Sequence, residues 1–174
     1  MSKSNYVSFE WSKLVESSNE MIISNGLLNG DDITIFNITN NGNLKRIVIG
    51  DNCFGTMRVF ELDGLSELES VVIGQKSFTY AKDINAIKKS RRTDGDLRIA
   101  NCPKLKTLQI GDWSFSDYHS FELNNLPSLQ SIEMSNYCFY YALSLSLTSM
   151  TDGRAYIQRL SSTAVSETRR ICFL

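Results

Sequence analysis

Few side chains in this sequence have types and spacing that suggest catalysis or metal binding. The four cysteines, Cys53, Cys102, Cys138 and Cys172, show no C-x-x-C spacing, which argues against a zinc site. The chain has a single histidine, His119, so most histidine-based metal sites and Ser-His-Asp catalysis are disfavoured. G-x-S-x-G, P-loop, H-E-x-x-H and G-x-G-x-x-G motifs are absent from the sequence. The sequence therefore predicts a non-enzymatic protein without catalytic, cofactor-binding or metal-binding residues.

One group of charged residues resembles the sites of enzymes that act on polysaccharides. Such enzymes need clustered carboxylates with Arg or Lys on one face. Glu61, Arg98 and Glu122 are the only candidates, and regular alternation along strands also accounts for them. A polysaccharide-active β-helix enzyme is therefore kept as a remote alternative.

The only basic cluster is the segment Lys88-Lys-Ser-Arg-Arg92. It has the composition of a nuclear import signal or a phosphate-binding patch, with Ser90 and Thr93 as possible kinase sites. A solvated loop is the simpler interpretation, because residues 82–96 carry a net charge of only +2. The cluster is a secondary candidate for partner binding, through Lys88, Lys89, Arg91 and Arg92.

Composition excludes several function classes. The 174 residues include 18 Lys and Arg against 19 Asp and Glu, which gives a net charge of −1 and no general affinity for nucleic acid or acidic membranes. No apolar stretch approaches the roughly 18 residues of a transmembrane helix. The first ten residues lack the apolar region of a secretory signal. We expect a cytoplasmic protein, or an extracellular surface protein if the N-terminus is incomplete.

The elements that position these residues follow from an internal repeat. Four segments share the pattern L-x-x-[ILV]-x-[IM]-[GS]-x-x-[CS]-F, and they cover residues 44–54, 68–78, 105–115 and 129–139. The leading leucines are separated by 24, 37 and 24 residues. The longer step indicates one 13-residue insertion, at about residues 82–94. The sequence therefore predicts a 24-residue repeat.

A second short strand precedes each leading leucine. Its apolar–polar–apolar alternation recurs at residues 36–38, 60–62, 97–99, 121–123 and 145–147. Two short strands per coil, with turns at Gly50, Gly74 and Gly111, predict a mainly β solenoid. We expect a right-handed coil of about four to five repeats, in which Phe54, Phe78, Phe115 and Phe139 form one buried row.

The pattern also predicts how the chain is divided. Residues 33–150 form the solenoid, and residues 1–32 are apolar enough at Phe9, Trp11, Leu14 and Met21 to cap its first coil. Residues 151–174 depart from the repeat and are interpreted as a closing segment or tail, helical or irregular at its start. Cys53 and Cys138 occupy the small position before the repeated Phe, so they are interpreted as buried fillers.

The repeat resembles leucine-rich repeats. Leu44-Lys-Arg-Ile-Val-Ile-Gly-Asp-Asn52-Cys-Phe54 fits L-x-x-L-x-L-x-x-N-x-L, and its Ile-Gly-x-x-Cys-Phe element is similar to the I-G-x-x-A-F of BspA-like proteins from bacteria and protists. The resemblance covers roughly residues 33–150. It implies a non-catalytic module that binds another protein. As an alternative, it implies a surface adhesin that binds a host protein or glycan.

The predicted binding surface follows from the outward strand positions. Val48 and Val72 are apolar neighbours at such positions and mark a possible interface with an unspecified protein partner. The complete set of candidate residues is Val48, Val72, Gln109 and Glu133, flanked by Glu61, Arg98 and Glu122.

Overall fold

Short parallel strands stack into a solenoid of about five turns, as the sequence predicts. The computed structural model describes residues 11, 18–30, 33–80, 85, 94–148, 156–160 and 172–173. Within these ranges the strands are β1 (Glu20–Ile23), β2 (Ile35–Thr39), β3 (Arg46–Ile49), β4 (Val59–Asp63), β5 (Ser70–Ile73), β6 (Asp96–Ala100), β7 (Thr107–Ile110), β8 (Ser120–Asn124), β9 (Ser131–Met134), β10 (Ser144–Thr148), β11 (Tyr156–Leu160) and β12 (Cys172–Phe173).

The described strands form two six-stranded parallel sheets. The first sheet has the order β1-β3-β5-β7-β9-β11, and the second has the order β12-β10-β8-β6-β4-β2. Each coil therefore contributes one strand to each sheet. Equivalent residues pair across neighbouring coils: Val48 lies opposite Val72, and Val72 opposite Gln109. Like side chains consequently stack in rows along the solenoid axis.

The core lies between the two sheets. The repeated phenylalanines form the predicted row, because Phe54, Phe78, Phe115 and Phe139 are buried and stack with centroids 4.8, 4.8 and 5.3 Å apart. The four leading leucines are buried as well. The predicted buried row of phenylalanines is therefore confirmed.

The coils approach closely at the turn that follows the first sheet. A Cβ atom on Gly111 would lie 2.6 Å from the backbone nitrogen of Gln75 in the preceding coil, and one on Gly74 would lie 2.6 Å from the carbonyl carbon of Gly50. A side chain at Gly74 or Gly111 would therefore clash with the backbone of the preceding coil, whereas the last of the four repeats has Ser135 at this position.

The described residues near both ends of the chain add strands to the solenoid. Glu20–Ile23 is β1, which pairs with β3 and extends the first sheet by one coil. Trp11 covers the core as expected, with its ring centroid 4.8 Å from Phe36. At the other end, the backbone of Tyr156–Leu160 is a strand beside β9 rather than a helix or an irregular segment. Phe9 and Leu14 lie outside the described residues.

Candidate functional site

The two sheets separate the seven residues of the predicted binding surface. Val48, Val72, Gln109 and Glu133 lie in the first sheet, on β3, β5, β7 and β9, whereas Glu61, Arg98 and Glu122 lie in the second, on β4, β6 and β8. The inward side chains of both sheets share one core. The outward side chains therefore face away from each other, and the second group does not flank the first.

The outer face of the first sheet carries a longer apolar row than the sequence analysis identified. Ile22 on β1 pairs with Val48, so Ile22, Val48 and Val72 follow one another across three coils. Ile22 is 64% exposed, and the two valines are half-buried. The row continues with Gln109 and Glu133, whose side chains share a 3.2 Å hydrogen bond. We call Ile22, Val48 and Val72 the apolar row.

Charged side chains border the apolar row. Arg46 lies 4.0 Å from Glu20, and Lys106 donates a 2.7 Å hydrogen bond to Glu69. The hydrogen bond from Lys106 and its positive charge lower the pKa of Glu69 below its usual value. Since each pair combines one positive and one negative charge, the pairs add little net charge beside the apolar row.

Lys45 lies next to this border and differs from the other cations there. No carboxylate of the described residues lies within ion-pair distance of Lys45. Its side chain lines an open polar depression of about 790 Å³, together with Ser18, Asn19, Gly42, Asn43 and Glu67. Glu67 is already paired with Lys104, at 2.7 Å. The depression therefore offers a cation beside an apolar row.

The outer face of the second sheet is organised around Arg98. Its guanidinium lies 3.1 Å from Glu61, 2.5 Å from Asp63 and 3.7 Å from Glu122. Burial alone would raise the pKa of Asp63, but hydrogen bonds from Arg98 and Asn101, with the charge of Arg98, lower it below its ordinary value. Asp63 is thus held as an ionised acceptor rather than a proton donor. Arg98 joins Glu61 and Asp63 of the preceding coil and Glu122 of the following coil into one ion-pair network.

An amide ladder continues from this network along the adjacent turn. Asn125 donates to the side chain of Asn101 at 2.8 Å, and Asn101 donates to Asp63 at 2.7 Å. Asn40, Gly64, Asn101 and Asn125 occupy equivalent turn positions with φ of 53°, 68°, 53° and 52°. Asn and Gly tolerate this left-handed conformation better than other residues. The sequence analysis missed this ladder, although the repeated Asn and Gly were the signal for it.

The cysteines lie where the repeat predicts, and their position has a second role. The side chains of Cys53, Cys102 and Cys138 are buried free thiols. In the two coils between Cys53 and Cys138, serine hydroxyls bridge adjacent coils. Ser77 accepts a 3.1 Å hydrogen bond from the Cys53 backbone N–H and donates a 2.7 Å bond to the Gly50 carbonyl. The small residue before each Phe is therefore also a hydrogen-bonding link.

Burial raises the pKa of two of these thiols. Desolvation raises the pKa of Cys102 to about 11 and that of Cys138 to about 12. Nucleophilic chemistry requires the thiolate, which such environments disfavour. Neither residue has the properties of a reactive cysteine.

His119 lies on the turn before β8. Its backbone N–H donates to the Gly95 carbonyl at 2.6 Å, and its side chain is partly buried. The neighbouring Asp117 is fully buried and accepts a 3.2 Å hydrogen bond from the Tyr80 backbone. Within the described ranges, His, Cys, Asp and Glu form no group of three or more that could hold a metal ion.

A further surface feature is an aromatic cluster on the turn that contains Trp113. The rings of Trp113 and Tyr137 stack at 4.1 Å, with Tyr140 and Tyr141 beside them. Trp113 and Tyr137 have φ of 65° and 61°, a conformation that costs roughly 1–2 kcal/mol for residues with a Cβ. The cluster is partly exposed, and it makes a second possible contact surface.

The basic segment predicted as a secondary site lies outside the described residues, including Lys88, Lys89, Arg91 and Arg92. At the end of the insertion, Asp94 forms a 2.5 Å ion pair with Arg58.

Comparison with protein-family models, with curated proteins and with solved structures finds no match to this chain. Among the described residues, no helix has the length and hydrophobicity that crossing a bilayer requires.

Proposed function

We propose that this protein is a non-catalytic module that binds another protein through the outer face of the first sheet. The observation that carries the proposal is the apolar row, in which Ile22 is 64% exposed and aligned with Val48 and Val72. Contiguous exposed apolar side chains with a polar border are typical of interaction sites. The buried core explains the fold without requiring these outward positions to be apolar.

Among the described residues, the carboxylates around Arg98 do not form the acid–base pair of a hydrolase, which favours binding over hydrolysis. A glycoside hydrolase needs one carboxyl group that carries a proton and a second that is ionised. Arg98 instead contacts Glu61, Asp63 and Glu122 together, and its hydrogen bond and charge lower the pKa of Asp63. We interpret this network as a surface ladder.

We also propose that the coils are leucine-rich-repeat units of 24 residues, of the BspA-like type. Two features support this. Val48 and Val72, which pair between β3 and β5, are 24 residues apart, and the buried leading leucines occupy one position in each coil. The pairing of Val72 with Gln109 spans the insertion. In this interpretation the insertion interrupts one turn and leaves the unit intact.

The test compares two double variants of the full chain as bait for partner proteins identified by mass spectrometry. Val48→Thr/Val72→Thr removes apolar surface from the first sheet while keeping β-branched residues that suit strands. Ile35→Thr/Val59→Thr is the matched control, because these residues are outward, half-buried neighbours on the second sheet.

We expect a partner of the wild type to be retained by the control and lost by Val48→Thr/Val72→Thr. Circular dichroism and urea unfolding should show that both variants are folded. A partner retained equally by both variants would contradict this site. In that case Trp113→Ala and neutralisation of Lys88 and Lys89 would test the two other surfaces.

A further inference from the structure

The size of the outer face limits what can bind there. Neighbouring strands lie about 4.8 Å apart and each residue adds about 3.3 Å along a strand. Five strands of four residues therefore present only about 300 Å², whereas a stable interface buries about 800 Å² on each partner. A second copy of this flat face would bury too little surface to form a stable dimer. A face of this size suits a weak, transient contact with a short segment that follows the apolar row.

The spacing of the row matches one kind of narrow occupant. Ile22, Val48 and Val72 succeed one another at the strand spacing, so the row is about 10 Å long. An α-helix advances about 5.4 Å per turn, and its side chains at i, i+3 or i+4, and i+7 span about 11 Å. In an extended strand, side chains on the same side are ~6.7 Å apart, so the third side chain would lie beyond the end of the row.

The charge beside the row adds a requirement on the occupant. Lys45 precedes Val48 by three residues and lines the polar depression at the edge of the sheet. The neighbouring cations Lys104 and Lys106 already contact Glu67 and Glu69. The charge of Lys45 acts on Glu69, but Lys45 forms no ion pair with a described carboxylate, so it can contact a ligand carboxylate. Glu133 lies at the opposite end of the face.

We propose that the outer face of the first sheet binds an amphipathic α-helix of a partner protein, whose apolar stripe lies on Ile22, Val48 and Val72 and whose carboxylate pairs with Lys45. This inference rests on the proposed function and specifies the partner. The helix lies along the solenoid axis, and it crosses the strands rather than extending the sheet. Because the acidic residue of the helix pairs with Lys45, it determines which end of the helix lies towards β1.

A displayed library of random 16-residue peptides tests the inference on the full chain. Peptides are selected on the wild type and counter-selected on Ile22→Thr/Val48→Thr/Val72→Thr, after unfolding curves have shown that this variant is folded. We expect the selected peptides to have apolar residues three or four positions apart, with Asp or Glu beside them. The best peptide is then labelled, and its binding is measured by fluorescence anisotropy.

Charge exchange identifies the role of Lys45. Lys45→Glu should weaken binding of the selected peptide about tenfold, and changing the carboxylate of the peptide to Lys should restore most of this loss. Arg58→Glu is the control: it reverses an exposed charge before β4, on the other sheet, and should leave binding unchanged.

Three outcomes would overturn the inference. They are selected peptides with apolar residues at every second position, unchanged binding by Lys45→Glu, and a wild-type chain that dimerises in sedimentation experiments through the same face. The proposed function survives any of these if Val48→Thr/Val72→Thr still loses a partner that the control retains. If that variant retains its partners, the proposed function itself is wrong.

Discussion

Replacing Phe115 by Ala removes the side chain at the centre of the aromatic row. Phe115 is fully buried and stacks between Phe78, at 4.8 Å and 6°, and Phe139, at 5.3 Å and 3°. The rings of Phe60 and Tyr118 meet it edge-on, at 5.6 and 4.9 Å. The substitution therefore removes contacts with four aromatic rings in three coils.

The expected loss in unfolding free energy lies in the upper part of the roughly 3–5 kcal/mol typical of Phe→Ala in a core. The cavity cannot collapse easily, because backbone hydrogen bonds between coils hold its walls, including that from Phe115 N–H to the Ser77 carbonyl. Backbone strain contributes little to the difference. Phe115 has a φ of 54°, and because Ala also has a Cβ atom, this left-handed conformation costs both residues the same free energy.

Urea unfolding followed by circular dichroism measures this loss, with Phe139→Ala as the control. Phe139 is 7% exposed, and its ring contacts are Phe115 and Phe121, so its replacement should cost about 1 kcal/mol less. A cost for Phe115→Ala below about 2 kcal/mol, or no larger than that of Phe139→Ala, would refute the argument that coil stacking concentrates stability at the centre.

Two further predictions concern the position before each Phe and the buried thiols. Ser77→Ala should reduce the unfolding free energy by about 1–3 kcal/mol, because the Cys53 N–H and Gly50 carbonyl lose a buried partner. Ser77→Cys, which copies Cys53 and Cys138, should cost less in the same unfolding measurement. Since burial raises the pKa of Cys102 from 9.0 to about 11, its contribution to stability is complete below pH 9 and is lost as the pH rises towards 11. Between pH 7 and pH 11, the free energy of unfolding should therefore decrease more with rising pH for the wild type than for Cys102→Ala. An equal decrease in both proteins would contradict the burial argument.

The features that follow from the stacking of identical coils, namely the buried rows and the strands, could be predicted from the sequence. Phe54 and its three equivalents had to be buried in one row, because a repeated large apolar residue can be shielded only by its copies in adjacent coils. Alternation at positions such as Phe36 and Ile38 likewise predicted the strands of the second sheet. These features depend on local pattern and period alone.

The remaining features depend on contacts that a repeat pattern does not express. The pattern identified outward residues but not the sheet on which each of them lies. The sequence therefore placed Arg98 beside Val72, whereas the two residues lie on the outer faces of different sheets. Ile22 was assigned to a cap, because β1 lacks a leading leucine and an aromatic partner in its own coil. The amide ladder at Asn101 and Asn125 was missed because the repeated Asn and Gly indicate left-handed turns but not the side-chain hydrogen bonds between coils.

The insertion between Tyr80 and Asp94 leaves the sheets on both sides in register. Val72 faces Gln109 across the insertion as Val48 faces Val72 without one, and Glu61 faces Arg98 in the second sheet. Loop closure costs rise only slowly with length, by about 0.6 kcal/mol per doubling. The position between Tyr80 and Asp94 is accordingly a site where a foreign peptide or a whole domain can be inserted without changing the geometry of the solenoid.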